Sequence, residues 1–383
     1  MSLAKAGRRR SGAAAVLFGI VLLSGCNPDP YPEDLTYPLR TDLLVVQDYP
    51  ESGIPAAEPL GNVESMIVRI QEKEKDKVLD PATLDSKQLD QLQEELDRLF
   101  GTPAAPTVKS KNKTLIKTLS LDDDTLAAGS VLYRRHCVHC HGLTGDGRGP
   151  TAGWVHPHPR DYRRGLFKFT SVSKGGGRAR REDLLRTLRE GIEGTSMPTF
   201  RLLPEEQLEQ LVSYVVHLSI RGEVEFEVMK GLQKPRGSVS KQVEAALIPV
   251  ARAWVSAQQD DSRIVPHPYP YEGDPANPPK DSILRGYQLF VGDAACIGCH
   301  TDYGRNNSFR YDAWGTLVRP ANLTAGVYRG GRRPIDIYYR IHSGIAPSNM
   351  AATADSIAND PRKMWDLVNF VKALPYPAML PVN

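Results

Sequence analysis

Apolar residues recur along most of this chain at helical spacing. In 204-PEEQLEQLVSYVVHL-218, Leu208, Leu211, Val212, Val215 and Leu218 form one face, and Pro204, Glu205 and Glu206 mark the start. The same face returns in 361-PRKMWDLVNFVKAL-374 as Met364, Leu367, Val368, Val371 and Leu374, with Phe370 in the place of Tyr214. Leu89, Leu92, Leu96 and Leu99 stripe 85-DSKQLDQLQEELDRLF-100, which predicts a short amphipathic helix docked on the rest of the chain. Val239, Val243, Leu247, Val250 and Trp254 predict a further helix, kinked at Pro249. These elements predict an all-α protein.

The repetition extends beyond one helix. Gly129 and Tyr133 match Gly286 and Phe290, each pair on a helix whose glycine lets another helix approach. The stretch 183-DLLRTLREGIEGTSM-197 matches 336-DIYYRIHSGIAPSNM-350, with a methionine six residues after the glycine in each. Two similar domains are therefore expected, at 120–222 and 280–383. Residues 223–279 are expected to be a linker with one helix, ending in the proline-rich 265-VPHPYPYEGDPANPP-279. Residues 26–119 form an N-terminal extension. Its first part, 27–60, is rich in proline and acids and reads as a tether.

The chemistry lies in the cysteines. There are five in 383 residues, and four form two C-x-x-C pairs, each followed by histidine: Cys137, Cys140, His141 and Cys296, Cys299, His300. Two thiols on one turn reach the two vinyl groups at a haem edge, and the next histidine swings over the same face to ligate iron. A zinc site shared by both pairs would have to bridge a separation far beyond zinc-ribbon spacing. A redox dithiol would want a βαβ setting that is not visible. His136 and His139 are expected to be surface residues rather than ligands.

The fifth cysteine closes 1-MSLAKAGRRRSGAAAVLFGIVLLSGC-26. A basic stretch precedes an apolar run too short to span a bilayer, as in a signal peptide. Leu23-Ser24-Gly25-Cys26 resembles the lipobox of bacterial lipoproteins, which implies cleavage of residues 1–25 and acylation of Cys26. The mature chain would then be extracytoplasmic (periplasmic) and held to a membrane by lipid. Removing residues 1–25 takes away Lys5, Arg8, Arg9 and Arg10 and no acid, leaving a near-neutral body. Charge gives no case for a nucleic-acid partner.

The paired motifs and their flanks resemble class I c-type cytochromes present in tandem, over roughly 120–222 and 280–383. The resemblance implies two covalently bound haem c groups with axial ligand pairs His141/Met197 and His300/Met350. It also implies a proline carbonyl orienting each histidine, with Pro150 and Pro320 the candidates. Arg160 and Tyr162 are candidates for hydrogen-bonding haem carboxylates. Met197 is followed by Pro198 as the family's pattern has it, whereas Met350 is followed by Ala351. The arrangement is similar to dihaem subunits of cbb-type oxidases and to the haem-bearing lipoproteins of alternative complex III. The expected function is electron transfer in a respiratory chain, between a quinol-oxidising complex and a terminal oxidase, rather than enzymatic turnover. A dihaem peroxidase and the cytochrome subunit of a periplasmic dehydrogenase are the alternatives.

Overall fold

The structure, a computed structural model, describes residues 30–45, 78–110, 112–172, 178–234, 237–261, 265, 277–305, 310–311, 317–345, 348 and 350–380. Cys26, the 1–25 segment and most of the 265–279 stretch lie outside the described residues. The fold is all-α. Among the described residues, two short antiparallel ladders decorate it: β1 (Leu44–Val45) with β2 (Val78–Leu79), and β3 (Arg310–Tyr311) with β4 (Leu317–Val318).

Several helices begin at a side-chain cap. Asp85 accepts from the Gln88 amide and starts α1 (Ser86–Phe100), which buries Leu92, Leu96, Leu99 and Phe100 and stops at Gly101, φ +71°. Asn112 caps α2 (Lys113–Leu119). Asp122 accepts from both the amide and the hydroxyl of Thr125 to start α3 (Asp123–His136), and one further turn, α4 (Val138–His141), follows. Then come α5 (Arg181–Glu190), α6 (Glu205–Leu232) and α7 (Val239–Gln259). The second half has α8 (Lys280–Val291), α9 (Pro334–Ser343), α10 (Asp355–Ala358) and α11 (Pro361–Ala373).

The repeat appears as two equivalent helix crossings, α3 on α6 and α8 on α11. Glycine permits both. A Cβ at Gly129 would lie 2.3 Å from the Gln210 carbonyl oxygen, and one at Gly286 would lie 2.0 Å from that of Asp366. Tyr214 and Phe370 are the side chains packed beside these contacts. Among the described residues, the buried apolar side chains form two clusters, one running from Tyr37 to Trp254 and the other from Val265 to Leu374.

Two expectations need correction. The first concerns 27–60. Its described part, residues 30–45, is bound to the first half rather than free. Tyr37 is fully buried, its hydroxyl 2.8 Å from that of Tyr214. The Tyr37 carbonyl accepts from Arg221 and Gln93, each at 3.0 Å, and the Arg40 amide donates to Glu225 at 2.5 Å. Asp42 pairs with Arg40 and Arg163 at 3.1 and 3.0 Å. The second concerns 223–279. The helix starting at Glu205 runs past the expected domain boundary at 222 to Leu232, burying Val224, Phe226, Val228 and Met229. Its extension packs on α7, which also covers α1 and α2 and passes through Pro249. Residues 223–259 thus belong to the body of the first half. The physical reason is apolar area: the extension offers α7 and the 30–45 segment a surface that none of them could bury alone.

The halves also meet directly. The Phe169 ring fills the space where a Cβ of Gly330 would stand, 2.4 Å from its Cδ1. The Val265 amide donates to the Ser171 carbonyl at 2.9 Å, and Arg332 and Arg333 reach Glu193 and Glu190 at 3.4 and 3.5 Å.

Candidate functional site

The first motif is built as one helical turn at the end of α3. The Cys137 amide donates to the Tyr133 carbonyl at 2.8 Å, and the amides of Cys140 and His141 donate back to the Cys137 carbonyl at 3.1 and 2.9 Å. Both thiols therefore issue from the same turn. Both are free, Cys137 buried and Cys140 half-buried beside the Thr151 hydroxyl at 3.2 Å. Burial pushes the Cys137 thiol up to about 12.

His141 is aimed by its backbone surroundings. Its Nδ1 lies 3.3 Å from the Arg160 carbonyl oxygen. A carbonyl only accepts, so Nδ1 carries the proton and Nε2 keeps its lone pair. Burial lowers the imidazole to about 4, so the ring is neutral near pH 7. The turn after it reverses through three left-handed glycines, Gly142, Gly145 and Gly147. A Cβ on Gly145 would strike the Tyr162 ring at 2.1 Å. Tyr162, whose ring is 5.4 Å from that of His141, shares a 2.5 Å hydrogen bond with Tyr133. Tyr133 in turn donates to the Gly142 carbonyl at 2.8 Å, so Tyr162 is the donor between the two phenols.

The second motif repeats the aim with a looser turn. Cys296–Gly298 is a 3-10 turn, and the Cys299 amide donates to the Cys296 carbonyl at 3.1 Å. His300 Nδ1 lies 3.1 Å from the Ala321 carbonyl oxygen, which again leaves Nε2 presented. Burial pushes the Cys296 thiol up to about 11 and lowers His300.

These contacts correct the two prolines. The carbonyls facing the imidazoles are those of Arg160 and Ala321, not Pro150 and Pro320. After the glycine reversal, the chain around Pro150 lies against the back of the motif turn. There the Gly149 and Thr151 amides donate to the Cys140 and His139 carbonyls at 3.2 and 2.9 Å. In the second half the acceptor is one residue beyond Pro320. Tyr162 spends its hydroxyl on Tyr133, and Arg160 supplies a carbonyl. His139 is exposed, and His136 packs edge-on against Phe200 at 5.9 Å.

The methionine loops match as well. α5 ends at Gly191, φ +69°, where a Cβ would meet the Met197 carbonyl oxygen at 2.9 Å. The Ile192 amide donates to the Met197 carbonyl at 3.1 Å, and the Met197 amide donates to the Thr195 hydroxyl at 3.1 Å. α9 ends at Gly344, also φ +69°. There the Ile345 amide donates to the Met350 carbonyl at 2.9 Å and the Met350 amide donates to the Ser348 hydroxyl at 3.4 Å. Each thioether thus sits at the closing position of a hydrogen-bonded loop. Phe200, three residues past Met197, brings the first loop against His136, the neighbour of Cys137.

Sequence reading missed the aspartates that brace the first turns of α5 and α9, the helices that lead into these loops. Asp183 and Asp336 are both buried. Asp183 accepts from the Ser171 amide at 3.0 Å and from the Ser171 hydroxyl at 3.2 Å, and burial raises its carboxyl. Asp336 accepts from the Arg333 amide at 3.2 Å and from its guanidinium at 2.9 Å. The signal was available, since the two aspartates stand in register in the repeat.

The donor set in each half suits a covalently attached haem: two neutral thiols on one turn, an imidazole presenting Nε2, and a thioether in a braced loop. Among the described residues no cluster of three or more His, Cys, Asp or Glu could hold a bare metal ion. Residues 124–215 match the family model of cytochrome C oxidase, cbb3-type, subunit III. The likeness of this segment is to a c-type cytochrome domain. The matched segment takes in α3, α4, α5 and the first part of α6, with Cys137, Cys140, His141 and Met197 inside it. No curated protein matches the chain. Among solved structures, a chain of the Kuenenia stuttgartiensis reducing HAO-like protein complex Kustc0457/Kustc0458 is similar at 24% identity and a TM-score of 0.46. The match covers 64% of this chain and 95% of that one, and is too loose to carry a functional argument.

Proposed function

We propose that the chain is a dihaem c-type cytochrome that carries electrons, lipid-anchored at Cys26 on the extracytoplasmic face of a bacterial membrane. Haem bound at the two motifs would supply a one-electron ferric/ferrous couple. The chain's own residues bind and orient. Cys137 and Cys140, with Cys296 and Cys299, would fix the macrocycles, while His141 and His300 would present Nε2 to iron from one side. Met197 and Met350 would fill the opposite side, favouring the ferrous state and leaving no open position for oxygen or peroxide.

The observation that carries the proposal is the repeated imidazole–carbonyl contact, His141 to Arg160 and His300 to Ala321. It supports two equivalent iron ligands rather than one site and a relic. A respiratory partner, quinol-oxidising on one side and a terminal oxidase on the other, fits the cbb3-type likeness of the first domain. A pyridine haemochrome assay against protein mass should give two haems per chain, both resistant to acid–acetone extraction. Met197→His and Met350→His should each remove about half of the near-infrared methionine-to-iron band. One haem per chain, or carbon monoxide binding to the ferrous wild type, would overturn the reading.

A further inference from the structure

The bound 30–45 segment begins at an informative place. The Pro30 carbonyl accepts a hydrogen bond from Arg134, and the Arg134 guanidinium lies over the Tyr31 ring at 5.3 Å from its centroid. Tyr31 is 7% exposed, so this end of the segment is seated rather than loosely placed. Arg134 belongs to the last turn of α3, three residues before Cys137. Farther along, Tyr37 and Arg40 fasten the segment to α6 through Tyr214, Arg221 and Glu225.

Cys26 stands four residues before Pro30. Four residues, fully extended, span at most about 14 Å. We propose that acylated Cys26 holds the first cytochrome domain flush against the bilayer, with the face formed by residues 30–36 and the C-terminal turn of α3 turned to the lipid surface. This rests on the lipidation of Cys26 proposed above. The Cys137–His141 turn follows α3 directly and would then lie at the membrane side of the domain, placed for a redox partner that is itself embedded in the bilayer. Glu33, Asp34 and Arg135 are all exposed on this face, so the acyl chains and the short link hold it there, rather than attraction to anionic headgroups. Among the described residues no helix is long and apolar enough to cross a membrane.

The test uses full-length protein on phosphatidylethanolamine–phosphatidylglycerol vesicles that contain a trace of lipid with a diazirine on its headgroup. After illumination, mass spectrometry should find cross-links enriched several-fold in peptides holding residues 30–36 and 134–139. Inserting about twenty Gly/Ser residues between Asn27 and Pro28 adds a flexible reach of about 25 Å and should spread the labelling over the surface. Even labelling of the acylated wild type, or enrichment on another face, would overturn the proposal while leaving the anchor intact. A wild type without acyl chains by mass, or one that binds vesicles no better than Cys26→Ser, would remove the anchor and this proposal with it.

Discussion

The first half turns its chain after the motif with glycines at Gly142, Gly145 and Gly147, whereas the second half puts Ala295, Asp302 and Tyr303 in the left-handed region around its own motif. Both halves share the glycine-mediated helix crossing, the buried aspartate in the first turn of the helix before the methionine loop and the carbonyl that faces the imidazole. They differ in what surrounds these parts. The first half is wrapped by residues 30–45, α1, α2 and α7, and braces its histidine turn with the Tyr133–Tyr162 pair. In the second half Phe290 takes the place of Tyr133 and offers no hydroxyl. Tyr328 instead ties the loop near Leu323 to α11, donating to the carbonyls of Leu323 and Val371 at 3.1 and 2.8 Å. The lesson is that the parts which aim ligands tolerate little change, while the scaffold that stiffens them can be built in more than one way.

The harshest way to break the comparison is at the helix crossings. Gly129→Leu and Gly286→Leu each force a side chain into a backbone carbonyl. Each should cost its own half about 4 kcal/mol or more. Urea unfolding followed by haem absorbance should show the loss as a missing or strongly shifted transition. The Gly286 variant should suffer more, because α1, α2 and α7 still brace the first half when its crossing is damaged.

A second difference concerns pH. His217, on α6, is fully buried and donates from Nε2 to the Phe100 and Thr107 carbonyls at 3.0 and 3.1 Å. Burial lowers it to about 4, and the equivalent position in α11 is Ala373. Its folded value lies below the unfolded one, so its contribution is present above about pH 6.5 and lost as pH falls toward 4. Glu223, buried beside Arg178 and the Trp254 indole, is raised by burial to about 7. Its contribution has the opposite sign: it is present below about pH 4.5 and lost as pH rises through 7. In the wild type the two slopes oppose each other between these limits. His217→Gln should leave a first half that weakens as pH rises from 4.5 to 7, and Glu223→Gln one that strengthens. Each slope amounts to about 3 kcal/mol at most. Equal slopes in the two variants would show that neither group titrates as its burial demands.

The smallest expected effect sharpens the contrast at the motifs. Ala295 has φ +50°, which an alanine adopts at a cost of about 1 kcal/mol. Ala295→Gly should raise the second transition by somewhat less than that, because glycine also gains freedom in the unfolded chain. An unchanged or lowered midpoint would mean that the left-handed turn is not strained.

Much of this was legible in the sequence because it is local. Apolar spacing sets helix faces over one or two turns, so α1, α6, α7 and α11 could be read from their stripes. Covalent spacing fixes that Cys137, Cys140 and His141 share a turn, whatever surrounds them. The duplicated Gly129/Gly286 and Met197/Met350 made the pairing of helices and loops readable by comparing the chain with itself. What only the tertiary structure decided was how distant segments meet. The Arg160 and Ala321 carbonyls, rather than those of Pro150 and Pro320, face the histidines because loop reversals set their approach. Tyr37 closes on Tyr214, 177 residues away, and Arg40 on Glu225, 185 residues away. Those contacts turn an acidic, proline-rich stretch from a tether into a strap. No local pattern encodes them, because the free energy that holds the strap comes from surface buried jointly with α6, and that surface exists only once α6 has folded.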